Sequence, residues 1–277
     1  MTGMHCLFSS GRGWSGQRLR CVALLAVWLV WQAWPHLALA QDAGAAETRC
    51  PANAIMIPPG ASIQAAVDTA GPSARFCIKA GIHRLQSVSP KSGQSFFGEK
   101  GSILNGARVL RDFRRAGRFW VATDQSEDEG SADHGACARE RSACVQAAGL
   151  FIDGHPLEQA ASQAALRANQ FFFDRVGHKI YFVDAPLGRT VEWSVMRHAF
   201  AGNAENVLIK GLVIEKYDNP AQEGAVWAGG SGWKAENLEA RLNNGVGLVV
   251  GSNGSIVNCN VHHNASSASA WAAPPTF

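Results

Sequence analysis

Three side chains of complementary chemistry recur at matched places late in the chain: Glu215, Arg241 and His262. They lie 26 and 21 residues apart, each at the end of a short strand-like stretch. An acid, a guanidinium and an imidazole side by side suit general acid–base chemistry, in which one group takes a proton and a cation steadies the developing negative charge. The same three could equally be a surface ladder of ion pairs with a histidine beside it, each exposed pair contributing only about 0–1 kcal/mol. Asp218 and Glu223, in the loop that leaves the first of these stretches, could offer carboxylate oxygens to Ca2+, a hard cation that prefers oxygen ligands. Two acids without a ligand-spacing motif also read as solvated loop residues. Trp227 and Trp233 could stack on sugar rings or simply fill core and loop space. The sequence carries no Ser-His-Asp set, zinc motif, phosphate-binding loop or dinucleotide fingerprint.

Positioning these groups falls to a repeat. Ile209-Lys210-Gly211-Leu212-Val213-Ile214, Ala235-Glu236-Asn237-Leu238-Glu239-Ala240 and Ile256-Val257-Asn258-Cys259-Asn260-Val261 align on Leu212, Leu238 and Cys259. A period of this length fits one coil of a β-solenoid. Side chains alternate along a strand, so Leu212, Leu238 and Cys259 should stack inward, as should Ile214, Ala240 and Val261. Val213, Glu239 and Asn260 then face outward, as do Glu215, Arg241 and His262, with neighbouring coils about 4.8 Å apart. Asn243 and Asn264 close the strands at equivalent places, where they could hydrogen-bond turn backbone between coils or serve as ordinary turn residues. The repeats are rich in Val, Ile, Asn and Gly and lack a helical period, which argues against a helical solenoid; a β-sandwich remains an alternative.

The start of the chain's folded part carries a resemblance. Ser62-Ile63-Gln64-Ala65-Ala66-Val67 reads as a short helix capped by Ser62. Strand patterns follow at Arg75–Lys79, Gly93–Gly98 and Ser102–Gly106, and the segments to compare are this helix with Ile78-Lys79-Ala80-Gly81-Ile82-His83, Phe97-Gly98-Glu99 and Leu104-Asn105-Gly106. These segments resemble the opening of pectate-lyase-like proteins, the superfamily of many secreted polysaccharide lyases. The resemblance implies an all-β, right-handed parallel β-helix, with the helix capping its first coils. It implies an acidic polysaccharide as partner and proton abstraction beside a uronate carboxylate, with Lys or Arg as base and a cation, Ca2+ here, neutralising the carboxylate. The catalytic candidates on that reading are Arg241, His262 and Glu215, and the metal candidates Asp218 and Glu223. Residues 111–205 interrupt the rhythm with two hairpin patterns, Leu150–Leu157 turning at Asp153-Gly154 and Phe171–Val183 turning at Arg175–His178. They resemble the small β insertion of several β-helix families.

Residues 1–40 read as an export signal: Arg12, Arg18 and Arg20, an apolar run Cys21–Trp34, then Ala38-Leu39-Ala40. Cleavage after Ala40 leaves 22 basic and 22 acidic residues, so net charge gives no support for nucleic-acid binding, and no second apolar stretch approaches membrane length. An exported, periplasmic or extracellular setting permits disulfides, and the expected pairs are Cys50 with Cys77 and Cys137 with Cys144, leaving Cys259 as a buried thiol. The expected divisions are a flexible leader over 41–53, a cap and first coils over 54–110, the insertion over 111–205, coils over 206–264 and a disordered tail over 265–277. That tail shows no strand alternation and no capping pattern. The chain therefore reads as a truncated β-helix with low or no activity, or as a non-catalytic β-helix that binds glycans or surfaces. Oligomeric state is left open.

Overall fold

The computed structural model describes residues 50–125, 149–220, 222–266 and 270–272. They are almost all β, with one α-helix, Ile63–Thr69, and one 3₁₀ turn, Gln163–Ala165. Ser62 caps the helix as expected: its hydroxyl accepts the Ala65 N–H at 3.1 Å. Ile63 and Val67, four residues apart on one face, are fully buried.

Three of the five sheets are parallel, and the chain visits them in turn. The first holds Ile55–Ile57, Arg75–Ile78, Ser95–Gly98, Leu208–Lys210, Lys234–Glu236 and Ser255–Val257, in that order across the sheet. The second holds Gly81–Arg84, Ser102–Asn105, Val213–Glu215, Glu239–Arg241 and Asn260–His262. The third holds Phe200–Gly202, Gly224–Ala228, Val246–Val250 and Ala270–Ala272. Register is strict, and it stacks Phe76, Phe96, Ile209, Ala235 and Ile256 in one column. Phe76 and Phe96 stack with ring centroids 4.9 Å apart, and Phe200 meets Phe96 edge-on at 5.0 Å. Leu212, Leu238, Ile214 and Ala240 are buried as the alternation requires. Val261 is only half-buried, because its strand is the edge of the second sheet, and Cys259 just before that strand is half-buried too.

The asparagines work between passes of the chain. Asn243 accepts the Tyr217 N–H at 3.0 Å, and Asn264 accepts the Asn243 N–H at 3.0 Å. Their amide NH2 groups donate to the Ile214 and Ala240 carbonyls. Buried turn backbone thus finds the partners that burial demands.

The insertion forms two further sheets. Ala107–Leu110, Val191–Ser194, Leu150–Ile152 and His155–Pro156 pair antiparallel; Gln170–Asp174, Lys179–Phe182, Phe119–Ala122 and Arg114–Ala116 do likewise, with Glu158–Gln159 added in parallel. Both expected hairpins form. Asp153 (φ 51°) and Gly154 (φ 81°) turn the first, both in the left-handed region that Asp-Gly tolerates. A separate core holds Phe171, Phe173 and Trp193.

Several boundaries differ from the sequence reading. The insertion begins at Ala107, since Asn105 is the last residue of the parallel strand before it, and Phe200–Gly202 already belongs to the third parallel sheet. The leader is fastened at its end, where Cys50 bonds to Cys77 and Asn53 accepts from Arg75 at 3.4 Å. The tail is not free of strands: Ala270–Ala272 pairs in parallel with Leu248–Val250, so backbone pairing won over a composition that reads as coil. Ile55–Ile57 and Gly81–Arg84, which lie outside the expected strand patterns, are strands as well. No helix among the described residues is long and apolar enough to cross a membrane.

Candidate functional site

The register of the second sheet brings the three expected residues together. Arg84, Asn105, Glu215, Arg241 and His262 are successive partners across five strands. Arg241 binds Glu215 at 2.9–3.0 Å and Glu239 at 2.7 Å, and His262 Nε2 faces Glu239 Oε1 at 3.2 Å.

Glu215 is not the exposed outward acid that the alternation suggested; it is 6% exposed. The insertion explains this. It leaves the chain after Asn105 and returns at Val195 and Met196, whose N–H groups both donate to the Gly106 carbonyl. Its sheet therefore lies against this end of the column. Glu192 reaches Arg84 at 2.6 Å and bonds Lys216, Ser194 donates to the Lys216 carbonyl at 2.9 Å, and the Lys216 ammonium sits 5.1 Å from the Phe151 ring. Asn105 donates to both Glu192 and Glu215. Two carboxylates and two cations are thereby held together under the insertion, with Arg241 and Glu239 continuing the network outward.

These contacts set the charges. Burial alone would push the Glu192 carboxyl up, but hydrogen bonds and charge from Lys216 and Arg84 outweigh it and hold the group below its ordinary value. Burial would likewise lower Arg241, yet Glu215 and Glu239 hold it above the usual range. Glu215 and Glu239 thus favour the charged form of Arg241, the form that can neutralise a carboxylate.

A cleft of about 450 Å³ opens where the insertion ends, lined among others by His155, Pro156, Lys216, Arg241, His262 and His263. Here neighbours meet that a regular strand would send to opposite faces. His263 has φ 53°, as Lys216 (58°) and Leu242 (58°) do at the equivalent place in earlier passes. This left-handed turn sets His262 Nδ1 and His263 Nδ1 2.6 Å apart.

The other candidates are elsewhere. Glu223 is held by Arg197 at 2.8 Å and His198 at 3.1 Å, and Asp218 is 2% exposed, so neither is a solvated loop acid. The one group of three possible ligands found close together among the described residues is Cys50, Cys77 and Glu99, and its two sulfurs are joined to each other. Cys137 and Cys144 lie outside the described residues. Cys259 is a free, half-buried thiol whose pKa is raised, chiefly by burial. Trp233 is buried, its indole N–H donating to the Ala204 carbonyl at 2.6 Å, while Trp227 is half-buried.

The sequence reading passed over Arg84, Glu192, Lys216, Glu239 and His263 as site residues. Lys216 and His263 could have been found, since each directly follows a member of the expected column. Glu192 and His155 come from the insertion, which has no period to align.

No protein-family model matches the chain, and no curated protein matches its sequence. Among solved structures, the fold is similar to that of XylC in complex with xylose, at a TM-score of 0.53 and 11% identity over 73% of this chain. The match spans 50% of XylC, so this chain accounts for about half that protein's length. A glycoside hydrolase matches at a TM-score of 0.43 and 11% identity, over 67% of this chain and 58% of the other. At such identities the likeness to XylC concerns the fold.

Proposed function

We propose that this chain is an exported, carbohydrate-active protein built on a right-handed parallel β-helix, and that a glycan lies in the cleft over Arg241 and His262. Three parallel sheets visited in turn support the β-helix reading, and the described xylose complex of XylC is in keeping with a sugar ligand. The Cys50–Cys77 disulfide supports export, since such bonds persist in oxidising compartments.

The observation that carries the reading is the pairing of a cation with an imidazole pair in one open cleft. On a uronate polymer, Arg241 would neutralise the sugar carboxylate and the His262–His263 pair would take the adjacent proton as the 4-linked sugar is expelled, leaving the double bond. Glu215 would hold Arg241 in place, a positioning role. Ca2+ bound near Asp218 and Glu223 would have to displace Arg197 and His198 from Glu223.

The test is formation of unsaturated uronate, followed in the ultraviolet, on alginate, pectate and chondroitin with and without Ca2+. Turnover that Arg241→Ala and His262→Ala each reduce at least ~100-fold is the expected result. Turnover unaffected by either substitution would reject the site.

A second reading has its own support. Arg84, Lys216 and Arg241 are matched by Glu192, Glu215 and Glu239, leaving no surplus cation for an acidic polymer. A charge-balanced cleft rich in paired donors and acceptors suits the hydroxyls of a neutral glycan held without cleavage. Calorimetric binding of xylo-oligosaccharides, with no turnover of any polymer, would favour it.

A further inference from the structure

The geometry points to a binding site for a divalent transition-metal ion, Zn2+ or Cu2+, at the vicinal histidines His262 and His263. The site does not depend on the proposed function and exists whether or not a glycan fills the cleft.

Two adjacent imidazoles cannot meet on a regular strand, because successive side chains point to opposite faces. Here the left-handed backbone of His263 brings them onto one side. Histidine is among the residues that tolerate this conformation. Their Nδ1 atoms face each other at 2.6 Å, so one must donate its proton to the other's lone pair.

The surroundings decide which. His262 Nε2 lies 3.2 Å from Glu239 Oε1, an acceptor held in place by Arg241 at 2.7 Å. The proton of His262 therefore sits on Nε2, and its Nδ1 offers a lone pair to His263. A carboxylate behind a histidine whose other nitrogen is bare is the arrangement that orients metal-bound imidazoles and raises their basicity.

When a metal enters, the His263 proton moves from Nδ1 to Nε2, which faces solvent on an exposed ring. Both Nδ1 atoms then bind the ion, both rings stay neutral and no proton is released. Metal–nitrogen bonds of about 2.0–2.1 Å put two such atoms roughly 3 Å apart. A small rotation of the exposed His263 ring supplies the difference. Imidazole nitrogen suits Zn2+ and Cu2+ and gives Ca2+ no advantage.

The experiment uses the full chain, purified without a histidine tag and stripped with chelator. Zn2+ and Cu2+ are titrated by calorimetry, and the Cu2+ complex is examined by electron paramagnetic resonance. One equivalent should bind, with a spectrum showing at least two imidazole nitrogens. His262→Gln and His263→Asn should each weaken binding at least ~10-fold; Asn keeps the left-handed backbone acceptable. Glu239→Gln, which keeps the hydrogen bond and removes the charge, should weaken it about 10-fold. Affinity unchanged in both histidine variants would overturn the site. So would a Cu2+ spectrum of the unsubstituted protein with one imidazole nitrogen or none, which needs no variant to fold.

Discussion

Two parts of one column, set by one backbone register, have opposite fates. At Asn105 and Glu215 the insertion covers the sheet, and these two residues are 1% and 6% exposed, with Glu192 and Lys216 beside them at 3% and 5%. At the Arg241–His262 end the same outward direction leads into an open cleft, and the side chains there remain about a third exposed. Strand alternation decides only which way a side chain points. What it meets depends on a segment without periodicity that leaves and rejoins the chain at one glycine, Gly106.

That contrast predicts unequal costs for similar substitutions. The largest effect belongs to Glu192→Ala. It leaves Lys216 buried without its main partner and takes the carboxylate from Arg84, and breaking a buried ion pair typically costs about 3–5 kcal/mol. Urea denaturation of the variant should show it; a loss below about 1 kcal/mol would mean the insertion does not desolvate this end. Acid sharpens the same point. The folded Glu192 pKa lies below its ordinary value, so its contribution is complete above about pH 4.5 and disappears as pH falls through the lower folded value. The chain should lose stability on acidification below about pH 4.5, and Glu192→Gln should flatten that part of the profile.

Next is Asn243→Ala, which tests the buried turn beside the column. It leaves the Tyr217 N–H without its acceptor at a fully buried position, at a cost of about 1–3 kcal/mol. Asn264→Ala takes the acceptor from the equally buried Asn243 N–H and should cost about the same, about 1–3 kcal/mol.

Much of this was legible in the residues. The inward columns, the asparagine contacts, both hairpin turns and the Ser62 cap follow from alternation, turn chemistry and capping, all local rules. The grouping of Glu215, Arg241 and His262 followed from period alone. The burial of Glu215 did not, since it depends on Glu192, Ser194 and Phe151, whose distance in sequence carries no signal. The meeting of His262 and His263 was hidden for another reason: alternation assigns neighbours to opposite faces, and the left-handed turn that overrides it appears in sequence only as an unremarked residue after each strand. Ala270–Ala272 escaped because alanine and tryptophan in a serine-rich stretch give no alternation.

The smallest effect should come from the open end. His262 contacts Glu239 at 3.2 Å and His263 at 2.6 Å, with about a third of its side chain exposed. Glu239 keeps Arg241 when the histidine is removed, so no charge is stranded. Exposed pairs of this kind are worth about 0–1 kcal/mol, because water competes for both partners and the side chains lose freedom in pairing. His262→Gln should therefore unfold in urea within about 1 kcal/mol of the unsubstituted protein. A loss near that of Glu192→Ala would show the open end to be as desolvated as the covered one, and the contrast along the column would fail. A near-neutral result, with ligand binding or turnover lost in the same variant, would assign the open end to function and the covered end to stability.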